Sequence, residues 1–185
     1  MYQVTTKATK ITSTDWQNTN SAFQKILQGG PLPRWGSVIK QVNDDGVDIL
    51  EQMIFIPERV PENDSAEALA TVTLQARNLS AALQRQTAAR VFICPAKRTP
   101  SGDFKQSDDQ RLMIKTLSTC LRLKPDFLTL FASDGDYAPM VWELREWGIR
   151  TEVVGRNVAG ELREAAYHVV DLEKLLEAIA AEETA

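Results

Sequence analysis

At 185 residues, with 43% hydrophobic and 25% charged side chains, the chain has the make-up of an ordinary folded protein, which excludes a disordered or fibrous one. Its formal net charge of −4 excludes a globally basic nucleic-acid coat while leaving room for a local basic strip. No stretch approaches an apolar membrane span and the amino terminus, MYQVTTKATK, lacks the apolar core of a signal peptide, so one domain over residues 1–185, no membrane and a cytoplasmic location are expected.

Residues 2–14, YQVTTKATKITST, are threonine-rich with weak alternation and predict a polar first strand ending at Asp15. A short helix is expected over 21–28, stopped by Gly29-Gly30-Pro31, then loop with a possible helical turn at 38–42. Asn43-Asp44-Asp45-Gly46 with Asp48 reads as a turn, since the closing glutamate of a calcium loop is missing. Ile49–Ile56 predicts a second strand. Asp64 and Glu67, in capping-box spacing, open a long helix whose face is Leu69, Val72, Leu79 and Leu83. A short strand at 91–94 leads into a polar loop over 95–105 that carries Lys97, Arg98 and Lys105. Ser107-Asp108-Asp109 caps a helix with Leu112, Met113, Thr116, Leu117, Cys120 and Leu121 at helical period. Phe127–Ala132 predicts a buried strand running into Ser133-Asp134-Gly135-Asp136, with Asp136 as cap of a helix over 138–147 closed by Gly148. A strand at 151–154, a helix at 160–166, a strand at 168–171 and a helix at 172–181 complete the chain. Strand and helix alternate throughout, which predicts a mostly parallel sheet covered on both faces.

Chemistry in such a sheet gathers outside the carboxyl ends of the strands, where the winding reverses. With strand order 3-2-1-4-5, Asp15 at the end of the first strand, Asp134 and Asp136 at the end of the fourth, and Asp108-Asp109 at the entering helix converge. His168 is the single histidine, expected to be structural, and Cys94 and Cys120 read as buried free thiols, so zinc-type ligand sets are largely excluded. Clustered oxygen ligands suit Mg²⁺ or Mn²⁺, which offset carboxylate repulsion and activate water against a phosphodiester.

Asp15-Trp-Gln-Asn18, Ser107-Asp108-Asp109 with Leu112, Ser133-Asp134-Gly135-Asp136-Tyr137 with Pro139, Arg150-Thr-Glu-Val-Val-Gly155 and GELREAAYHVVDL resemble the NYN domain family. That family is a branch of the PIN-like metal-dependent ribonucleases and includes the LabA-like proteins. The resemblance implies a PIN-like three-layer α/β/α sandwich, Mg²⁺ or Mn²⁺, and endonucleolytic cleavage of single-stranded or loop RNA. Carried over, Asp15, Asp109, Asp134 and Asp136 hold the metal, with Asp108 a close alternative to Asp109. Asn18 orients Asp15 or touches substrate, and Ser133 supports the metal shell. A homodimer is left open.

Plainer readings stand beside these. Asp136 can be read as a helix cap alone, Asp15 and Asn18 as an Asx turn with a cap, and Asp108-Asp109 as acids favoured by the helix dipole. Lys97, Arg98 and Lys105 either track an RNA backbone or sit on a solvated loop. Trp16 and Trp35 can stack on bases, but core or interface packing is expected for them and for Trp142 and Trp147. Lys115 stands where the family often carries a further acid, and Lys105-Gln106-Ser107 where a glycine is common, which fits an inactive RNA-binding or regulatory module. A haloacid-dehalogenase-type phosphatase with Asp134 as nucleophile is a more distant alternative.

Overall fold

The computed structural model describes residues 7–43, 46–58, 61, 65–98, 104–105 and 107–183. Asp44, Asp45 and Asp64, on which the expected turn and capping box rest, lie outside the described residues.

Strand β1 (Ala8–Asp15) is polar yet occupies the centre of the sheet. Ser13 and Lys10 have partners, whereas the buried Thr14 hydroxyl has none among the described residues. The Ser13 and Thr116 hydroxyls bond at 2.6 Å, and Lys10 Nζ reaches Glu152 at 2.7 Å and donates to the Val42 carbonyl at 3.1 Å. Helix α1 (Trp16–Leu27) follows without a break, five residues earlier than the sequence suggests, because Asp15 Oδ1 accepts the Asn18 N–H at 3.0 Å and caps it. Gln28 and Gly29, at φ 47° and 91°, end it in left-handed backbone. Helix α2 (Trp35–Gln41) buries Trp35, Val38 and Ile39.

Strand β2 (Val47–Pro57) alternates by face: Met53 and Phe55 enter one core, Ile54 and Ile56 the other. Helix α3 (Ala66–Gln86) is capped by Ser65, whose Oγ accepts the Ala68 N–H at 3.1 Å. Only Ala76, Ser80 and Leu83 of this helix are buried, and Leu69 is 43% exposed, so the anchoring face is confined to the carboxyl-terminal half. After β3 (Arg90–Cys94), the segment expected to be loop contains a two-rung antiparallel pair, β4 (Lys97–Arg98) with β5 (Phe104–Lys105).

Helix α4 (Asp108–Leu123) precedes β6 (Phe127–Phe131). A 3₁₀ turn (Gly135–Tyr137) then runs directly into α5 (Ala138–Glu146). That continuity corrects the expected cap. The acid that caps is Asp134, whose Oδ1 accepts the Asp136 N–H at 3.2 Å, and Asp136 makes no cap for α5. Strand β7 (Arg150–Gly155), helix α6 (Gly160–Ala165), strand β8 (His168–Asp171) and helix α7 (Leu172–Glu183) complete the fold.

The sheet runs β3-β2-β1-β6-β7-β8 with every pairing parallel. It is covered by α4, α5 and α6 on one face, around Leu112, Leu128, Leu130 and Leu144, and by α1, α2, α3 and α7 on the other, around Phe23, Trp35, Phe131 and Leu176. This is the PIN-like three-layer α/β/α arrangement. Trp35 is 2% exposed and Trp16 packs edge-on against it at 5.6 Å, whereas Trp142 and Trp147 are 44% and 60% exposed, against the packing expected for them. Cys94 and Cys120 are buried free thiols and His168 is exposed on the edge strand β8. No helix among the described residues is long and apolar enough to cross a membrane.

Candidate active site

The neighbours β1 and β6 lead their chains in opposite directions across the sheet, so the crevice beyond their carboxyl ends is the topological switch point. Asp15 ends β1 there, 7% exposed, and its second oxygen accepts from the Tyr137 hydroxyl at 2.9 Å. Asp108 and Asp109 occupy the first turn of α4, where the helix dipole favours anions. Asp108 is 6% exposed, and Asp109 Oδ1 lies 2.7 Å from the same Tyr137 oxygen. Asp134 follows β6.

Burial pushes the Asp15 carboxyl up to about 6, with further repulsion from Asp109 and Asp108, against the lowering effect of the Asn18 N–H and Tyr137. Asp108 is raised by burial and by Asp109. Tyr137, 1% exposed, is held neutral first by burial and then by the charges of Asp15 and Asp109. A phenol carries one hydrogen, so it cannot be donated to Asp15 and Asp109 together. With both acids ionised, one of the two contacts sets lone pair against lone pair. Either an extra proton or an external cation relieves it.

These side chains open onto a cavity of about 450 Å³ lined by Asp15, Asn18, Asp108, Asp109, Ser133 and Asp134. Six of the positions singled out in the sequence are thus brought together from three parts of the chain. Asp136 is exposed and does not line the cavity; its backbone N–H instead holds the Asp134 carboxylate. The side chains of Lys97, Arg98 and Lys105 lie outside what is described.

The wall also contains Gln17, Ser21, Lys25, Arg156 and Asn157, which the sequence reading did not single out. A signal for them exists. Arg156 and Asn157 follow the carboxyl end of β7 as Asp134 follows that of β6, and Lys25 lies seven residues after Asn18, on the same helical face. Asn157 adopts φ 53°, and the Ala159 N–H donates to the Ser133 carbonyl at 2.9 Å, tying this loop to the acid turn. Gly155 permits the approach, since a Cβ there would stand 2.5 Å from both the Ala132 carbonyl oxygen and Ser133 Oγ.

The sequence model of the NYN domain matches residues 45–173, well over half of the chain. The chain belongs to the NYN domain family. The matched span contains Asp108, Asp109, Ser133, Asp134 and Arg156, while Asp15 and α1 precede it, so their membership in the site rests on geometry. None of the curated proteins is significantly similar to this NYN chain. Among solved structures, a Vibrio parahaemolyticus protein of unknown function aligns over 93% of this chain and 98% of its own, with a TM-score of 0.64 and 14% identity, which shows a shared fold. Thermus thermophilus uroporphyrinogen III synthase covers 95% of this chain and 78% of its own at a TM-score of only 0.28 and 14% identity.

Whether the NYN crevice fits a divalent cation is decided by its donors. The candidate ligands are all oxygen, which matches a hard cation, and buried Ser133 Oγ in the cavity wall has no hydrogen-bond partner among the described residues. Among the described residues, however, no three acidic, histidine or cysteine side chains stand close enough to hold one ion. That arrangement suits an ion held by one or two carboxylates with water and substrate phosphate completing its shell, the usual manner of Mg²⁺.

Proposed function

We propose that this NYN domain hydrolyses phosphodiester bonds in single-stranded or loop RNA, in a manner that requires Mg²⁺ or Mn²⁺. One observation carries the reading: Asp15, Asp108, Asp109 and Asp134, from separate parts of the chain, face a single cavity at the switch point of a parallel sheet. Asp15, Asp109 and Asp134, with Asp108 beside Asp109, are the candidate ligands, of which one or two would hold the ion together with water and substrate phosphate. The ion would supply a water of lowered pKa and charge stabilisation on the phosphate. The protein's own part is positional and electrostatic. Asn18 N–H and Tyr137 orient Asp15, Ser133 offers a buried hydroxyl in the wall without a partner among the described residues, and Lys25 and Arg156 offset phosphate charge in a cavity otherwise dominated by acids. Asp136 acts through Asp134 rather than on the ion.

The test is cleavage of end-labelled single-stranded RNA by the full chain with Mn²⁺, with chelator, and by Asp134→Asn. Chelator abolishes cleavage and Asp134→Asn lowers it by at least about a hundredfold in this reading. Cleavage surviving either treatment assigns the activity to a contaminant. A second reading, an RNA-binding module without hydrolysis, is favoured by the absence of a three-carboxylate cluster among the described residues. RNA binding without cleavage at saturating Mn²⁺ would establish it.

A further inference from the structure

Beside the acid cavity lies a second cavity, of about 290 Å³, in the groove between α1, the end of β2 and α3. The two share Gln17 and Ser21, so α1 is the ridge between them. One flank of the helix turns Asn18 and Lys25 to the acids, and the other turns Trp16, Asn20 and Gln24 to the groove. The chemistry changes across that ridge. The acid cavity holds Lys25 and Arg156 as well as its carboxylates, whereas among the described residues no ionisable side chain lines the groove.

Among the described residues a phosphate therefore has no counter-charge in the groove, and a cation has no ligand of full charge. What remains is neutral and two-sided. Gln17, Asn20 and Gln24 each present a donor and an acceptor on one edge, and their side chains make no hydrogen bond among the described residues. Trp16, Pro57 and Leu79 supply apolar surface for a flat ring. Asparagine and glutamine amides recognise base edges by paired donor and acceptor contacts, and unstacked bases rest on apolar and aromatic side chains. At about 290 Å³ the groove is at the small end of ligand sites, which begin near 300 Å³, so it suits one ring rather than a peptide or helix.

We infer that this groove is a base-recognition subsite, in which Asn20 and Gln24 read the edge of the nucleobase next to the phosphate held at the acids. The inference rests on the reading of the acid cavity as an RNA-cleaving centre and adds sequence preference to it. It makes Asn20 and Gln24 specificity-determining residues that contact neither the scissile phosphate nor the acids.

The experiment is binding of four short oligoribonucleotides, differing only in one base, to the full chain with Ca²⁺ in place of the catalytic ion, followed by side-chain amide and indole NMR signals. The amides of Asn20 and Gln24 and the indole of Trp16 shift with RNA, and the four affinities differ by at least about threefold. Asn20→Ala and Gln24→Ala weaken the preferred oligonucleotide by about tenfold and level the ranking, with unchanged melting temperature. In Mn²⁺ the same variants flatten the cleavage pattern across a mixed-sequence RNA. RNA that shifts only signals of the acid cavity, or variants that keep the wild-type ranking, overturn the subsite while leaving the nuclease reading intact. RNA that binds at neither place overturns both.

Discussion

Asp15 gathers the largest electrostatic cost in the molecule's crevice. It is buried, faces Asp109 and Asp108, and shares a single phenolic hydrogen with Asp109. The folded state keeps its proton up to about pH 6, whereas the unfolded chain releases it near 3.8. The folded state therefore binds more protons across that window, and the stability of the metal-free protein falls as pH rises through it. Asp15→Asn keeps the shape and removes the charge. It should raise metal-free stability at pH 7 by on the order of 2 kcal/mol and have little effect at pH 4, as read by urea unfolding at the two values. An unchanged midpoint at pH 7 would mean that the buried charge is already compensated. The sequence places Asp15 with the other acids and offers a turn or cap as the plainer reading; it is a cap as well, through Asn18, and its burial and its shared hydrogen with Asp109 are not legible in the sequence. Tyr137 sat inside the quoted acidic motif without a role, because its function depends on one buried hydroxyl reaching acids 122 and 28 residues away.

At the scale of elements, the polar β1 is the informative case. A strand of threonine, lysine and serine is central in the expected order 3-2-1-4-5, and it lies between β2 and β6, where Ser13 finds a partner on α4 and Lys10 one on β7. The pair of Lys10 with Glu152 is the buried part of that arrangement, at side-chain exposures of 5% and 23%. Glu152→Gln leaves the Lys10 ammonium without its counter-charge and should cost about 3 kcal/mol in denaturant unfolding. A loss under about 0.5 kcal/mol would show the pair to be solvated. On the next strand, Gly155→Ala places a methyl against Ala132 and Ser133, so either β7 retreats or the Ser133 side chain is pushed into the cavity. Destabilisation of about 1–3 kcal/mol is expected from the shifted urea midpoint, and an unchanged midpoint would contradict the tight approach. The start of α1, the reach of the α3 contact face and the β4–β5 pair were not legible, since each depends on a cap or on burial set by distant elements.

For the whole molecule, the order β3-β2-β1-β6-β7-β8 follows from alternating strand and helix signals together with right-handed crossovers, and it alone predicts that Asp15 and Asp134 meet. Lys25 and Arg156 obey the same rule, but a lone basic side chain on a helix or in a loop reads as solvated until the topology brings it to the crevice. The central claim is that acids from separated segments act as one hydrolytic unit, and Asp15, which precedes the matched NYN span, is its most demanding member. Residues that act as a unit are strongly non-additive. The most direct measurement is the Mn²⁺-dependent rate of RNA cleavage by Asp15→Asn, Asp134→Asn and the double variant. Each single variant is predicted to lose at least about a hundredfold, with the double little worse than either. Asp15→Asn cleaving at the wild-type rate, or single losses that simply multiply, would contradict the account.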